Sequence, residues 1–189
     1  MAYDEAWAKR WLEQKGWKRS VAGEADFIKA VKAVVEYVAN PKRGIFIMGQ
    51  VGVGKTALAN VLYGYLKGRK VKIDCADNGM VDLLVQQADS VTNGGIYNSG
   101  ADEYLGGAVM LDDMGSEEIR ILYSNTLDRV GKFIVRYEAR GTGRIIVTTN
   151  FTMEKLMKRY GDRVVDRILQ KCIVLKLEGS SKRNRTIIR

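Results

Sequence analysis

Gly49-Gln50-Val51-Gly52-Val53-Gly54-Lys55-Thr56 fits G-x-x-x-x-G-K-[ST], the pattern of a phosphate-binding loop. Ile45-Phe46-Ile47-Met48, just before it, reads as a short buried strand. Ala57 to Lys67, just after it, has helical periodicity. Such a loop requires strand, loop and helix in that order. Its glycines let the backbone turn and bring N–H groups close to phosphate oxygens. The helix that opens near Gly54 directs its positive dipole end at the anion. The expected ATP-binding residues are therefore Gly49, Gln50, Val51, Gly52, Val53, Gly54, Lys55, Thr56 and Ala57. Lys55 would reach the β- and γ-phosphates, and the Thr56 hydroxyl would ligate Mg²⁺.

Outward from the loop, helices and short apolar runs alternate. Asp4 to Gln14 reads as a helix. Glu24 to Ala39 is a second helix, with Phe27, Ile28, Val31, Val34, Val35 and Val38 on one face, ended by Asn40-Pro41. Val71 to Cys75 reads as a strand, Met80 to Ala88 as a helix and Ser90 to Gly100 as a loop. Ala108 to Leu111 is a third strand. Glu118 to Arg140 reads as one long helix, with Ile119, Leu122, Thr126, Val130, Phe133 and Tyr137 inward. Ile145 to Thr148 is a strand, Met153 to Tyr160 a helix, and Ile173 to Leu177 the last strand. This alternation predicts an α/β fold with a mostly parallel five-stranded sheet covered by helices. Residues 1–22 are expected to form a short basic segment and residues 23–189 the nucleotide-binding domain.

Ala108-Val109-Met110-Leu111-Asp112-Asp113 is an apolar strand ending in two acids. In a parallel sheet this places both carboxylates at the carboxyl edge, where ligands bind. Asp112 is the candidate Mg²⁺ ligand, directly or through water. Asp113 is the candidate to orient or activate an attacking water. Acid pairs in such positions also cap helices. Asn150, after Ile145-Ile146-Val147-Thr148-Thr149, has two readings. It holds the attacking water near the γ-phosphate, or it caps the helix starting near Thr152.

Composition narrows the chemistry. The 189 residues suit one domain, and 46% hydrophobic with 28% charged residues is ordinary for a globular protein. The absence of histidine excludes Ser-His-Asp and Cys-His catalysis and histidine metal sites. Cys75 and Cys172 form no C-x-x-C pattern, so a reducing cytoplasmic setting without zinc is expected. No apolar run is long enough for a membrane span, and no signal peptide is evident. The net charge of +9 points to a polyanion, most often nucleic acid, with solubility alone as the plainer reading.

The order of motifs resembles a known family. After the phosphate loop come Leu111-Asp112-Asp113-Met114-Gly115, then Arg140-Gly141-Thr142-Gly143, then Ile146-Val147-Thr148-Thr149-Asn150. Tyr160-Gly161-Asp162-Arg163-Val164-Val165-Asp166-Arg167 and Gly179-Ser180-Ser181-Lys182-Arg183 follow. This is similar to the AAA+ ATPases of the DnaC helicase-loader and IstB transposition-helper group, over roughly residues 24 to 185. The resemblance implies a P-loop NTPase of the AAA+ (ASCE) type without a C-terminal helical lid, hydrolysing ATP with Mg²⁺. It implies that Asn150 is sensor 1 and that Arg167 is an arginine finger reaching the neighbouring subunit's nucleotide, with Arg163 as second candidate. Arg183 matches the sensor 2 arginine. Homo-oligomers with ATP sites at subunit interfaces, single-stranded DNA, and a replicative helicase or transposase are the implied partners. Members of the group carry a larger N-terminal region, whereas about forty residues precede the loop strand here. A compact loader from a virus or mobile element fits.

Trp7, Trp11 and Trp17 crowd the N-terminus among Lys9, Arg10, Lys15, Lys18 and Arg19. They are either anchors for a partner or packing against the domain itself. From Phe151 to Arg189, eleven Lys and Arg oppose four Asp and Glu, so this stretch carries +7 of the net charge. Only Phe151 and Tyr160 interleave it, so base stacking is not indicated there. A small-molecule P-loop kinase and a nucleotide-gated scaffold are the competing functions. Pro41 is the sole proline, so the Asp-Gly-x-Pro-Arg-type element of nucleotide kinases is absent.

Overall fold

Alternate residues of β1 (Gly44–Gly49) feed two separate cores, because successive strand side chains point to opposite faces of a sheet. A computed structural model describes residues 3–82, 107–118, 120–122, 125–127, 129–140 and 143–181. Ile45 and Ile47 join a core built with α1 (Glu5–Gln14), α3 (Glu24–Ala39) and α4 (Lys55–Tyr65). Phe46 and Met48 join a second core on the other face. Its helices are α5 (Arg129–Arg140), α6 (Met153–Tyr160) and α7 (Asp162–Lys171). The result is a three-layer α/β/α fold.

Four further strands join β1, namely β2 (Lys70–Asp74), β3 (Ala108–Met114), β6 (Ile145–Thr149) and β7 (Cys172–Leu177). The sheet order is β2-β3-β6-β1-β7, with every pair parallel. The expected five-stranded parallel sheet is therefore present, and β1, β3 and β6 deliver their carboxyl ends to one edge. α2 (Arg19–Ala22) is a single turn between α1 and α3.

The long helix expected over Glu118 to Arg140 is not formed. Residues 120–122 (β4) and 125–127 (β5) pair as an antiparallel hairpin, with Ile121 opposite Thr126 and Leu122 opposite Asn125. The helix begins only at Arg129. The helical spacing of Leu122 and Thr126 was accidental, since the β-branched Ile121 and Thr126 suit paired strands as well. Val130, Phe133 and Tyr137 do lie inward, each at most 4% exposed. A second difference is α7, which occupies the interval between Tyr160 and Ile173 that the periodicity left unassigned. Residues 78–82 are helical, and the rest of the helix expected to Ala88 and the loop over Ser90 to Gly100 lie outside the described residues. Among the described residues no helix follows β7, and no helix is long and apolar enough to cross a membrane.

Two long-range contacts fix what surrounds the carboxyl edge. Trp17 is 1% exposed, stacks on Phe27 at 5.9 Å, and donates its indole N–H to the Gly54 carbonyl at 3.3 Å. Asp26, 3% exposed on α3, accepts from the backbone N–H groups of Glu178 at 3.0 Å and Gly179 at 2.7 Å. A buried carboxylate thus anchors the chain where it leaves β7. Asp26→Ala would leave both half-buried N–H groups without their acceptor, at a cost of about 2 kcal/mol. Urea unfolding is expected to show that loss in the midpoint at an unchanged m-value. A change below about 0.5 kcal/mol would mean that water satisfies both groups.

Candidate functional site

Six of the nine loop residues that the sequence marked out, Val51, Gly52, Gly54, Lys55, Thr56 and Ala57, line one cavity of about 540 Å³ at the carboxyl edge. Gly52, Gly54, Lys55, Thr56 and Ala57 form one wall, and Asp112, Asp113 and Asn150 form the other. Gly54 caps α4 in the left-handed conformation, φ 96°, where any side chain is strained. Gly52 has φ 87°, and a side chain there would also collide with Ser181. The chain anchored by Asp26 thus folds back against the loop. Val53 and Gly49 belong to the same turn but do not line the cavity, and Gln50 contributes its carbonyl.

Lys55 is the first residue of α4 and is buried at 6% exposure. Its ammonium donates to the Gln50 carbonyl at 2.8 Å and to Asn150 Oδ1 at 2.6 Å. Asn150 Nδ2 in turn donates to Asp113 Oδ1. The helix-cap reading of Asn150 is overturned, because Thr152 caps α6 by accepting from the Lys155 N–H. The amide instead bridges Lys55 and Asp113 across the cavity.

Asp112 and Asp113 are adjacent in sequence, and in a regular strand they would point to opposite faces. A bulge prevents this. β3 pairs with β6 at Leu111 and Val147, then resumes at Met114 and Thr149, so two residues of β3 oppose Thr148 alone. Asp113 sits at the bulge with φ 58°, a left-handed conformation that Asp tolerates better than most residues. The Thr148 hydroxyl closes the bulge: it accepts from the Asp113 N–H at 2.8 Å and donates to Asp112 Oδ1 at 2.7 Å. Asp112 Oδ1 also accepts from the Thr56 hydroxyl at 2.9 Å. The pair Thr56 and Asp112 supplies two hard oxygen donors side by side, which suits Mg²⁺. Among the described residues no group of three acidic, Cys or His side chains converges. This donor set therefore fits an ion that takes its other ligands from phosphate and water.

Burial raises the Asp113 carboxyl above the usual aspartate range. Lys55 opposes that shift, while Asp112, Asp74 and Glu117 add to it. Burial likewise pushes up the thiols of Cys75 and Cys172, which are free.

Thr148 carried no signal in the sequence beyond its place in a strand, and Glu117 carried none. Glu117 is 5% exposed and accepts from the Gly115 N–H at 2.9 Å and from the Tyr160 hydroxyl. Arg159 pairs with it at 3.4 Å. The turn after the acid pair is thereby tied to the end of α6, just before α7. Arg163 is exposed at the start of α7, and Arg167 is half-buried further along it. Neither lines the phosphate-loop cavity. Arg167 instead lines a small cleft with Lys42, Gly44 and Ile145, at the amino ends of β1 and β6. Arg183 lies outside the described residues.

Similarity to known proteins agrees with this geometry. The DnaC helicase loader matches with a TM-score of 0.54 at 21% identity, over 82% of this chain and 91% of that one. A primosome component of Streptococcus pyogenes serotype M3, itself assigned only provisionally, matches at 0.55 and 20%, over 86% and 85%. AMPPCP-bound DnaA from Aquifex aeolicus matches at 0.50 and 21%, over 82% of this chain but 47% of that one. These likenesses establish a shared fold. The sequence model of the IstB-like ATP binding proteins matches residues 8–189, nearly the whole chain, and the protein belongs to that family.

Proposed function

We propose that the chain binds and hydrolyses Mg-ATP and couples that cycle to side-by-side assembly on single-stranded DNA, as a helicase-loader-like protein in DNA replication. The observation that carries the ATPase reading is the chain of hydrogen bonds from Lys55 through Asn150 to Asp113 around one open cavity. The family match supports ATP as the nucleotide. An IstB-like helper of a transposase would use the same site, and only the protein partner separates the two.

In this reading the loop N–H groups and Lys55 bind the phosphates. Lys55 exchanges Asn150 for phosphate oxygen, which frees the amide to hold a water. Thr56 and Asp112 would hold Mg²⁺, whose role when bound is to neutralise charge on the phosphates. Asp113 accepts the proton of the attacking water. Arg183 is proposed to contact the same subunit's phosphates.

Asp113→Asn is expected to leave nucleotide bound and to slow turnover by about 10²–10⁴-fold. Asn tolerates the left-handed backbone at this position, so the bulge is retained. The wild-type rate should fall with decreasing pH along a limb above the ordinary aspartate value, because burial raises this carboxyl and only its ionised form accepts a proton. The Asn variant should lack that limb. Loss of binding with unchanged turnover of bound ATP would interchange the roles of Asp112 and Asp113.

The assembly reading is tested by the size of the complex with a non-hydrolysable ATP analogue, with and without single-stranded DNA. Larger particles are expected only with nucleotide, and DNA should extend them. DNA affinity should be weakly sequence-dependent and fall steeply with salt, because phosphate neutralisation releases counterions. Salt-insensitive binding, or none at low salt, would remove nucleic acid from the function.

A further inference from the structure

A second open cavity, of about 620 Å³, runs along the outer face of α4 beside α1. Trp11, Tyr65, Lys15, Lys67, Asn60 and Gly64 line it, and no acidic residue does. Trp11 is half-buried, stacked on Trp7 at 5.5 Å with an interplanar angle of 11°, and Tyr65 meets it edge-on at 5.7 Å. Neither lysine ammonium has an ion-pair partner among the described residues, and both side chains are exposed. Gly64 sits inside α4, where glycine costs about 1 kcal/mol relative to alanine, and nothing lies within 4 Å of the place a side chain would take. A flat group can therefore approach the helix backbone. Ala57 lines both this groove and the phosphate-loop cavity.

We infer that this α1–α4 groove is where single-stranded nucleic acid docks, with bases stacked on Trp11 and Tyr65 and the backbone held by Lys15 and Lys67. The inference rests on the nucleic-acid reading above and places its site on this groove, not on the basic C-terminal stretch. The reasons are chemical. A strand without sequence preference needs both aromatic faces and unpaired cations along one path. The groove supplies partly exposed rings, exposed lysines and no opposing charge. The C-terminal stretch is rich in cations but poor in exposed rings.

The test is fluorescence anisotropy of a labelled oligothymidylate, titrated at several salt concentrations. Trp11→Leu should weaken binding by about fivefold to a hundredfold, the range one stacked base is worth. Trp11→Phe, which keeps a ring for a base to stack on, should recover most of it. Lys15→Glu with Lys67→Glu should flatten the slope of log affinity against log salt by about 1.4, from two lost phosphate contacts. Charge reversal at the exposed Lys155 and Lys158 should leave affinity within about twofold. Each variant's melting temperature checks that the fold is intact. If oligothymidylate binds and the groove variants bind it normally, the groove is not the site, while the nucleic-acid reading stands. If the wild-type protein binds no oligothymidylate at low salt, both fall together.

Discussion

Lys55→Ala is expected to abolish ATP turnover, with a loss of about 10²–10³-fold even where nucleotide can be forced to bind. Lys55 as a whole is 6% exposed, so its ammonium meets phosphate with little competing water. Truncation also leaves the Gln50 carbonyl and Asn150 Oδ1 without their donor. It removes the positive charge that opposes the upward shift of Asp113, so that carboxyl should rise further. The fold should survive with a melting temperature lower by a few degrees, since the change adds no large cavity to either core. Direct titration with a fluorescent ATP analogue and steady-state phosphate release are the two measurements. Wild-type turnover in Lys55→Ala would eliminate the cavity as an ATPase site.

Arg167→Ala should bind ATP normally and hydrolyse it about 10³-fold more slowly or worse, if the guanidinium serves the neighbouring subunit's site. The geometry argues against a role within its own subunit. Arg167 lies beside Gly44 and Ile145, at the amino ends of β1 and β6, whereas the phosphate loop leaves the carboxyl end of β1. The six residues of β1 separate those ends by about 17 Å. A guanidinium cannot cross that distance. Mixing Arg167→Ala with Lys55→Ala should restore part of the activity, because the first keeps an intact site and the second an intact finger. The mixture must exceed the sum of its components under conditions where subunits associate. If it does not, Arg167 carries no trans role, and the same mixture with Arg163→Ala becomes the test of the exposed residue one turn earlier.

The central strands β1, β3 and β6 were legible because each is a short apolar run, and burial on both faces of a parallel sheet demands that, while the edge strands β2 and β7 showed as shorter alternating runs. The hairpin at residues 120–127 was not, since its few residues satisfy a helical period by coincidence and only pairing distinguishes the two. α7 was obscured for the opposite reason. Charged residues make up half of Asp162–Lys171, and only Val164, Val165 and Ile168 are fully buried, with Leu169 partly so.

What the sequence determined by itself was the phosphate loop. Its conformation depends on glycines and a helix start within eight consecutive residues, so the motif and its geometry are the same local fact. The rest of the site was decided by tertiary structure. Asp112 and Asp113 both face the cavity only because β3 bulges against Thr148, 36 and 35 residues away. Asn150 reaches Lys55 across 95 residues, and Asp26 holds Glu178 and Gly179 across 152 and 153. Such contacts leave no periodicity in the chain. They come from the register of neighbouring strands and from the need of each buried carboxylate and amide to find a partner once water is excluded.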